Sequence, residues 1–176
     1  MKQLILLHGA LGASCEFDRL VPYLQSHFKV FRFDLEGHAN KESSMPFSMM
    51  GFAKNLKDFI QENKLDQPQI FGFSMGGYTA YHLANEHPEL LGDIMSLGSK
   101  LKWDPLTAKV ETGKMNPEKI KEKVPQFAAY LDSLHLDWET TMNKTADLMI
   151  RLGNGDAMTF DDFAKISNKC FIGLGD

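Results

Sequence analysis

Ser74 stands between glycines in Gly72-Phe73-Ser74-Met75-Gly76-Gly77. The apolar Ile70-Phe71 precede this stretch, and Thr79, Ala80, Leu83 and Ala84 follow at helical spacing. A serine on a tight strand-to-helix turn presents its hydroxyl to solvent, the arrangement that a Gly-x-Ser-x-Gly elbow provides for a nucleophile. The glycines serve a steric purpose: a side chain at Gly72 or Gly76 would collide across the turn, and Gly77 lets the helix lie close to the sheet. Ser74 also opens a helix, where unpaired amides and the dipole favour developing negative charge. The plainer reading is that glycine and serine merely punctuate a loop before a helix.

The elements that must hold such a serine alternate along the chain. Leu4–Leu7 forms a short apolar strand that ends in His8-Gly9-Ala10-Leu11-Gly12. A helix is expected over Cys15–Ser26, with Phe17, Leu20, Val21 and Leu24 on one face and Pro22 as a source of a kink or a late helix start. Val30–Phe33 reads as a second strand, closed by Asp34-Leu35-Glu36-Gly37-His38. Met49, Phe52, Ala53, Leu56, Phe59 and Ile60 predict an amphipathic helix over Ser48–Glu62. The Ser74 strand and helix come next, then a fourth strand over Ile94–Leu97. Strands joined by helical crossovers argue for a parallel sheet covered on both faces.

Composition narrows the function. The chain has 176 residues, enough for one domain with a real core. Its formal net charge of -4 comes without a basic patch, so neither nucleic acid nor an anionic membrane is expected as a partner. Two cysteines, Cys15 and Cys170, make neither a disulfide framework nor a metal cluster. No His/Cys/Asp/Glu group has metal-ligand spacing, and no cofactor is expected. The apolar run after Met1-Lys2 stops after four residues at His8, short of the roughly seven to fifteen of a secretory signal. A cytoplasmic protein is therefore expected.

Three motifs taken together resemble those of the α/β-hydrolases: His8-Gly9-x-x-Gly12 after the first strand, Asp34-x-x-Gly37-His38 after the second, and Gly72-x-Ser74-x-Gly76-Gly77 after the third. The resemblance covers about residues 1–99 and 167–176. It implies an α/β core with five strands present, helices on both faces of a parallel sheet, and a helical cap inserted at 100–166. Ser74 would then be the nucleophile. The oxyanion would rest on the Met75 amide, next to the nucleophile, and on the Ala10 amide after His8-Gly9. His8, Gly9, Asp34 and His38 would organise the neighbouring loops. Ala39 and Lys41 depart from the family's usual continuation of the second motif.

Between the fourth and fifth strands, helices are expected over Pro117–Leu134, Trp138–Leu152 and Phe160–Ile166. Their Met and aromatic side chains, Phe127 and Trp138 among them, would suit an apolar acyl group or simply join cap to core. At the end of the chain, Lys169–Asp176 resembles the strand that delivers the catalytic acid. Two alignments stay open: one puts the acid two residues past Asp176, the other makes Asp176 the acid. Under either alignment no histidine follows, and His135 sits in the cap. The expectation is an N-terminal part of a serine hydrolase for a small, partly apolar ester, thioester or related acyl substrate, inactive by itself. The alternative is a catalytically inactive relative that binds a small molecule or a partner. An open edge at Cys170–Leu174 invites pairing with another chain, so a homo-oligomer is also among the expectations.

Overall fold

The computed structural model describes residues 1–175. Five strands, β1 (Lys2–Leu7), β2 (Phe28–Arg32), β3 (Gln69–Phe73), β4 (Ile94–Leu97) and β5 (Cys170–Gly173), form one sheet in the order β2-β1-β3-β4-β5. Every pairing is parallel. The chain runs outward from β1 to β2 and returns to pair β3 on the other side of β1. The winding therefore reverses between β1 and β3, and a crevice opens at their carboxyl ends.

Apolar side chains at alternate strand positions assign the two faces. Ile5, Ile70 and Ile94 lie in register and are fully buried. They pack beneath Phe52, Leu56 and Ile60 of α2 (Met49–Glu62) and Ala80, Leu83 and Ala84 of α3 (Met75–Glu86). Ser48 caps α2 by accepting the Gly51 amide at 3.0 Å. On the opposite face Leu6, Phe71, Met95 and Phe171 are in register. Phe17 meets the Phe71 ring edge-on at 6.2 Å, while Met95 and Phe171 are each 46% exposed.

The helix expected over Cys15–Ser26 is not continuous. A 3-10 turn at Ser14–Phe17 is followed by a single turn, α1 (Val21–Leu24), with Pro22 in its first turn. Proline cannot supply the amide that a helix running through it would need. The second strand begins two residues earlier than expected, at Phe28.

Between β4 and β5 lie α4 (Pro105–Thr112), α5 (Pro117–Lys123), α6 (Pro125–Leu134), α7 (Trp138–Arg151) and α8 (Phe160–Ala164), with a π turn at Leu152–Asp156. The single helix expected over Pro117–Leu134 is two. Pro125 drives Val124 out of the helical region, to φ -138° and ψ 57°. Sequence reasoning missed α4, although Asp104-Pro105 is a start signal: Asp104 accepts the Thr107 amide at 2.7 Å and Pro105 takes the first helical position. Within this segment Leu131, Trp138 and Met142 form their own buried cluster, against which Leu11 packs.

The helices are fastened to the loops that follow β1 and β2. Thr141 Oγ1 donates to the Gly37 carbonyl at 2.7 Å, and Lys144 Nζ to that of Ser43 at 2.6 Å. The Leu136 amide reaches Ala39 O at 3.0 Å, Tyr130 donates to Glu16 at 2.9 Å, and Arg151 donates to the Phe47 carbonyl. No helix is long and apolar enough to cross a membrane, among the described residues.

Four histidines, His8, His38, His82 and His135, are buried in this scaffold. Desolvation pushes His8 below its usual range, His38 down to about 3 and His82 down to about 4. In the unfolded chain each titrates near 6.5. The unfolded state thus binds protons that the folded state refuses. The stability owed to the neutral imidazoles is complete above about pH 6.5 and is lost as pH falls toward the folded values. Unfolding at pH 5.5 should take up about two to three protons from these side chains. Calorimetry in buffers of different ionisation enthalpy measures that number, and an uptake near zero would contradict the neutral-histidine core.

Candidate active site

Ser74 sits between β3 and α3 at φ 49° and ψ -114°. A positive φ on a residue with a Cβ costs about 1–3 kcal/mol and persists only where the surroundings over-determine it. Here they do. The Ser74 amide donates to Leu97 O at 2.8 Å, and its carbonyl accepts Ser99 Oγ at 2.7 Å together with the Gly77 and Tyr78 amides. Ser99 was not singled out by the sequence; it lies beyond β4, 25 residues from the serine it holds. The glycines are equally constrained. A Cβ on Gly72 would lie 2.3 Å from the Gly77 nitrogen, and one on Gly76 would lie 2.4 Å from the Leu7 carbonyl oxygen. The helix can therefore rest directly on the end of β1.

That contact brings the loop after β1 beside the serine. A Cβ on Gly9 would lie 3.3 Å from Ser74 Cβ. The Gly9 carbonyl accepts the Gly12 amide at 3.1 Å and lies 2.8 Å from His8 Nδ1. The Leu35 amide donates to His8 Nε2 at 3.1 Å, so Nδ1 carries the proton of a neutral ring and donates to Gly9. In a trans peptide the N–H points opposite to the C=O. Pinning Gly9 O on one side therefore aims the Ala10 N–H to the other. Among the described residues, neither the Ala10 nor the Met75 amide donates a hydrogen bond in the loops and caps.

Asp34 braces the same loop from β2. Its carboxylate accepts the Ser14 amide at 2.6 Å and the Ser14 hydroxyl at 3.1 Å, and it stands 4.0 Å from His8 Nε2. His38 is wholly buried, its ring 5.0 Å from that of His8 and 5.8 Å from that of His135. His38 Nδ1 donates to Glu36 O at 3.1 Å, and Nε2 accepts the Leu11 amide at 3.4 Å. The ring nitrogens of His8, His38 and His135 are all engaged by main chain. Ser74 Oγ forms no hydrogen bond among the described residues, and Asp176 lies outside them.

Ala10, Ser74 and Met75 open onto one small cavity of about 40 Å³. Its remaining walls are Met49 and Tyr78 from α2 and α3, Lys100 and Trp103 beyond β4, Thr145, Leu148 and Met149 of α7, and Leu152 in the turn that follows it. Neither Phe127 nor Trp138 lines it. Phe127 is 41% exposed, and Trp138 is buried in the helices' own cluster. Helical periodicity identified an apolar face on each helix but could not say which one meets the serine. Lys100 is neutralised at the rim by Glu111 at 2.7 Å, and this partner holds the Glu111 carboxyl below its usual range.

Related proteins carry the same frame. Over 136 residues the chain is 28% identical to the pimeloyl-[acyl-carrier protein] methyl ester esterase of Aeromonas hydrophila, covering 72% of this chain and 52% of that protein. It is 30% identical over 91 residues to ethanol acetyltransferase 1 of Kluyveromyces lactis, covering 49% of this chain and 24% of the other. The chain thus spans about half or less of these curated relatives. NosK from Streptomyces actuosus superposes with a TM-score of 0.76 at 18% identity, over 99% of this chain and 76% of that one. The family model of the alpha/beta hydrolase fold matches residues 2–147. With that match, the parallel five-stranded sheet and the crevice beside Ser74, the chain belongs to the α/β-hydrolase fold family.

Proposed function

We propose that the chain carries the nucleophile and oxyanion donors of a serine hydrolase acting on a small, partly apolar ester, thioester or related acyl substrate. In this reading Ser74 Oγ attacks the acyl carbonyl carbon and its proton passes to a general base. The oxyanion rests on the Ala10 and Met75 amides, the alcohol or thiol leaves, and water releases the acyl group. The observation that carries the reading is the convergence of a strained serine and two unpaired amides on one cavity. Each preorganised donor of this kind is worth about 2.7–4 kcal/mol to the transition state. His8, Gly9, Asp34 and His38 hold the donor loop, and the helical segment 100–166 serves as the cap.

The base is none of His8, His38 or His135, because main-chain groups occupy their nitrogens. Among the described residues no side chain is hydrogen-bonded to Ser74 Oγ, so the reading takes its base from outside the constellation at the serine. Cavity size supports a short acyl group. About 40 Å³ holds on the order of three water-sized atoms. One relative is named for transfer of acetyl, a two-carbon acyl group, whereas the methyl in the other's name is the alcohol part of its ester. That Ser74 Oγ meets no hydrogen-bond partner among the described residues favours a second reading, a binding module with the same pocket and no turnover.

A fluorophosphonate probe separates the two. In the full-length protein Ser74 should be labelled, and Ser74→Ala should abolish labelling without changing the melting temperature by more than a few degrees. A folded wild-type protein that stays unlabelled would favour the binding module.

Met149 tests the cavity wall, since it is only half-buried and can be shortened at small cost to the core. Met149→Ala should raise the kcat/KM ratio of p-nitrophenyl hexanoate to acetate about tenfold, a methylene or two in an apolar pocket being worth about 1–3 kcal/mol. Phe127→Ala should leave that ratio unchanged. Equal effects of the two substitutions would remove α7 from the acyl site.

A further inference from the structure

Two loop residues other than glycine hold positive φ beside the crevice, Leu11 at 58° and Ala39 at 51°. Leu11 directly follows Ala10, and Ala39 directly follows His38. Neither has a side chain that stabilises such a conformation locally, so the strain is held from outside. Both are gripped by one side chain. His135, at the end of α6 and 5% exposed, accepts the Ala39 amide on Nδ1 at 2.8 Å. The backbone donor fixes the tautomer, so Nε2 carries the proton and donates to the Leu11 carbonyl at 3.0 Å. His135 spans 124 residues of sequence to reach Leu11 and 96 to reach Ala39.

The grip is doubled on both sides. The Leu136 amide next to it donates to the Ala39 carbonyl at 3.0 Å, so Ala39 is held by its N–H and its C=O. Leu11 is likewise held at both groups, its amide by His38 Nε2 at 3.4 Å and its carbonyl by His135. Leu11 also packs against the cluster of Leu131, Trp138 and Met142. One imidazole thus joins the helical segment to the loop after β1 and the loop after β2 at their two strained residues.

We propose that His135 is a positioning residue for acyl transfer: by fixing the Leu11 peptide from the helical segment it sets the direction of the Ala10 amide. This rests on the reading of Ala10 and Ser74 given above. His8 fixes the peptide that carries the Ala10 N–H, and His135 fixes the residue on its other side. Without His135 the loop keeps the Gly12–Gly9 hydrogen bond and the long His38 contact to the Leu11 amide at 3.4 Å, but nothing fixes the Leu11 carbonyl. With His135 both groups of Leu11 are held and the backbone leading back to Ala10 loses that freedom. His135 touches neither substrate nor Ser74, so its effect falls on the transition state and leaves ground-state binding intact.

The test is the rate of Ser74 phosphonylation by a fluorophosphonate in the full-length protein, resolved into the maximal rate kinact and the binding constant KI. A donor misplaced by about 1 Å costs on the order of a hundredfold. His135→Ala should therefore lower kinact about 10–100-fold while KI stays within about threefold. His135→Gln, whose amide offers an acceptor and a donor at similar separation, should restore kinact to within about fivefold of wild type. Melting temperatures establish that each variant is folded. If the alanine variant fails to fold, His135→Asn, which is too short to reach both partners, takes its place with the same expected loss. Wild-type kinact in a folded alanine or asparagine variant overturns the proposal, as does a change carried by KI alone or a folded glutamine variant that stays slow. A wild-type protein that does not label overturns the Ser74 reading itself, a result distinct from all of these.

Discussion

The contact of the Gly76 Cα with the Leu7 and His8 carbonyls is the constraint on which this molecule turns. With no side chain between them, α3 settles onto the end of β1, and a Cβ there would meet those oxygens at 2.4 and 2.6 Å. Gly72 and Gly77 permit the same closeness where β3 passes into α3. Ser74 is then lifted into a conformation it would not adopt alone. Leu97 and Ser99, at the end of the neighbouring strand, keep it there. The hydrogen bonds that hold the strain come from β4 and beyond, so the geometry of the serine belongs to the whole sheet and not to its turn.

Histidine has an unusual role in this chain. Three imidazoles cluster between two core loops and the helices above them, and each accepts a main-chain N–H on one nitrogen while donating to a carbonyl from the other. Such a ring works as a rigid bridge between peptide groups, provided that it stays neutral. Burial enforces this at His8 and His38, since removing water disfavours the charged form. Side chains often sought as proton carriers are here committed to shape.

Much of this architecture could be read from residues alone. The strands at Leu4–Leu7 and Ile94–Leu97, the α2 helix, and the elbow at Ser74 all rest on local signals: apolar runs, 3.6-residue periodicity and glycine spacing. The misreadings also have local causes. Pro125 broke a helix that apolar periodicity had carried straight through it, while Pro22 gave the late helix start that it signals, and Asp104-Pro105 announced a helix that went unread. What no local pattern could supply was contact across the chain. Phe127 and Trp138 have the composition of pocket residues, yet α7 turns Leu148 and Met149 toward Ser74 instead. Leu11 and Ala39 carry no mark of their positive φ, and the histidine that answers both is 96 or more residues away.

The helices between β4 and β5 leave and rejoin the sheet on adjacent strands, which in any sheet run about 4.8 Å apart. In a parallel pair the way out is at the carboxyl end of one strand and the way back at the amino end of the other, so the segment must cross the full depth of the sheet before it closes. Polar attachments at Gly37, Ala39, Ser43, Phe47, Leu11 and Glu16 hold it over the loops after β1 and β2. On the other side Leu148, Leu152 and Met158 join the main core and the Met158 amide donates to the Tyr78 hydroxyl at 2.9 Å, so the segment is clamped over Ser74 from two directions.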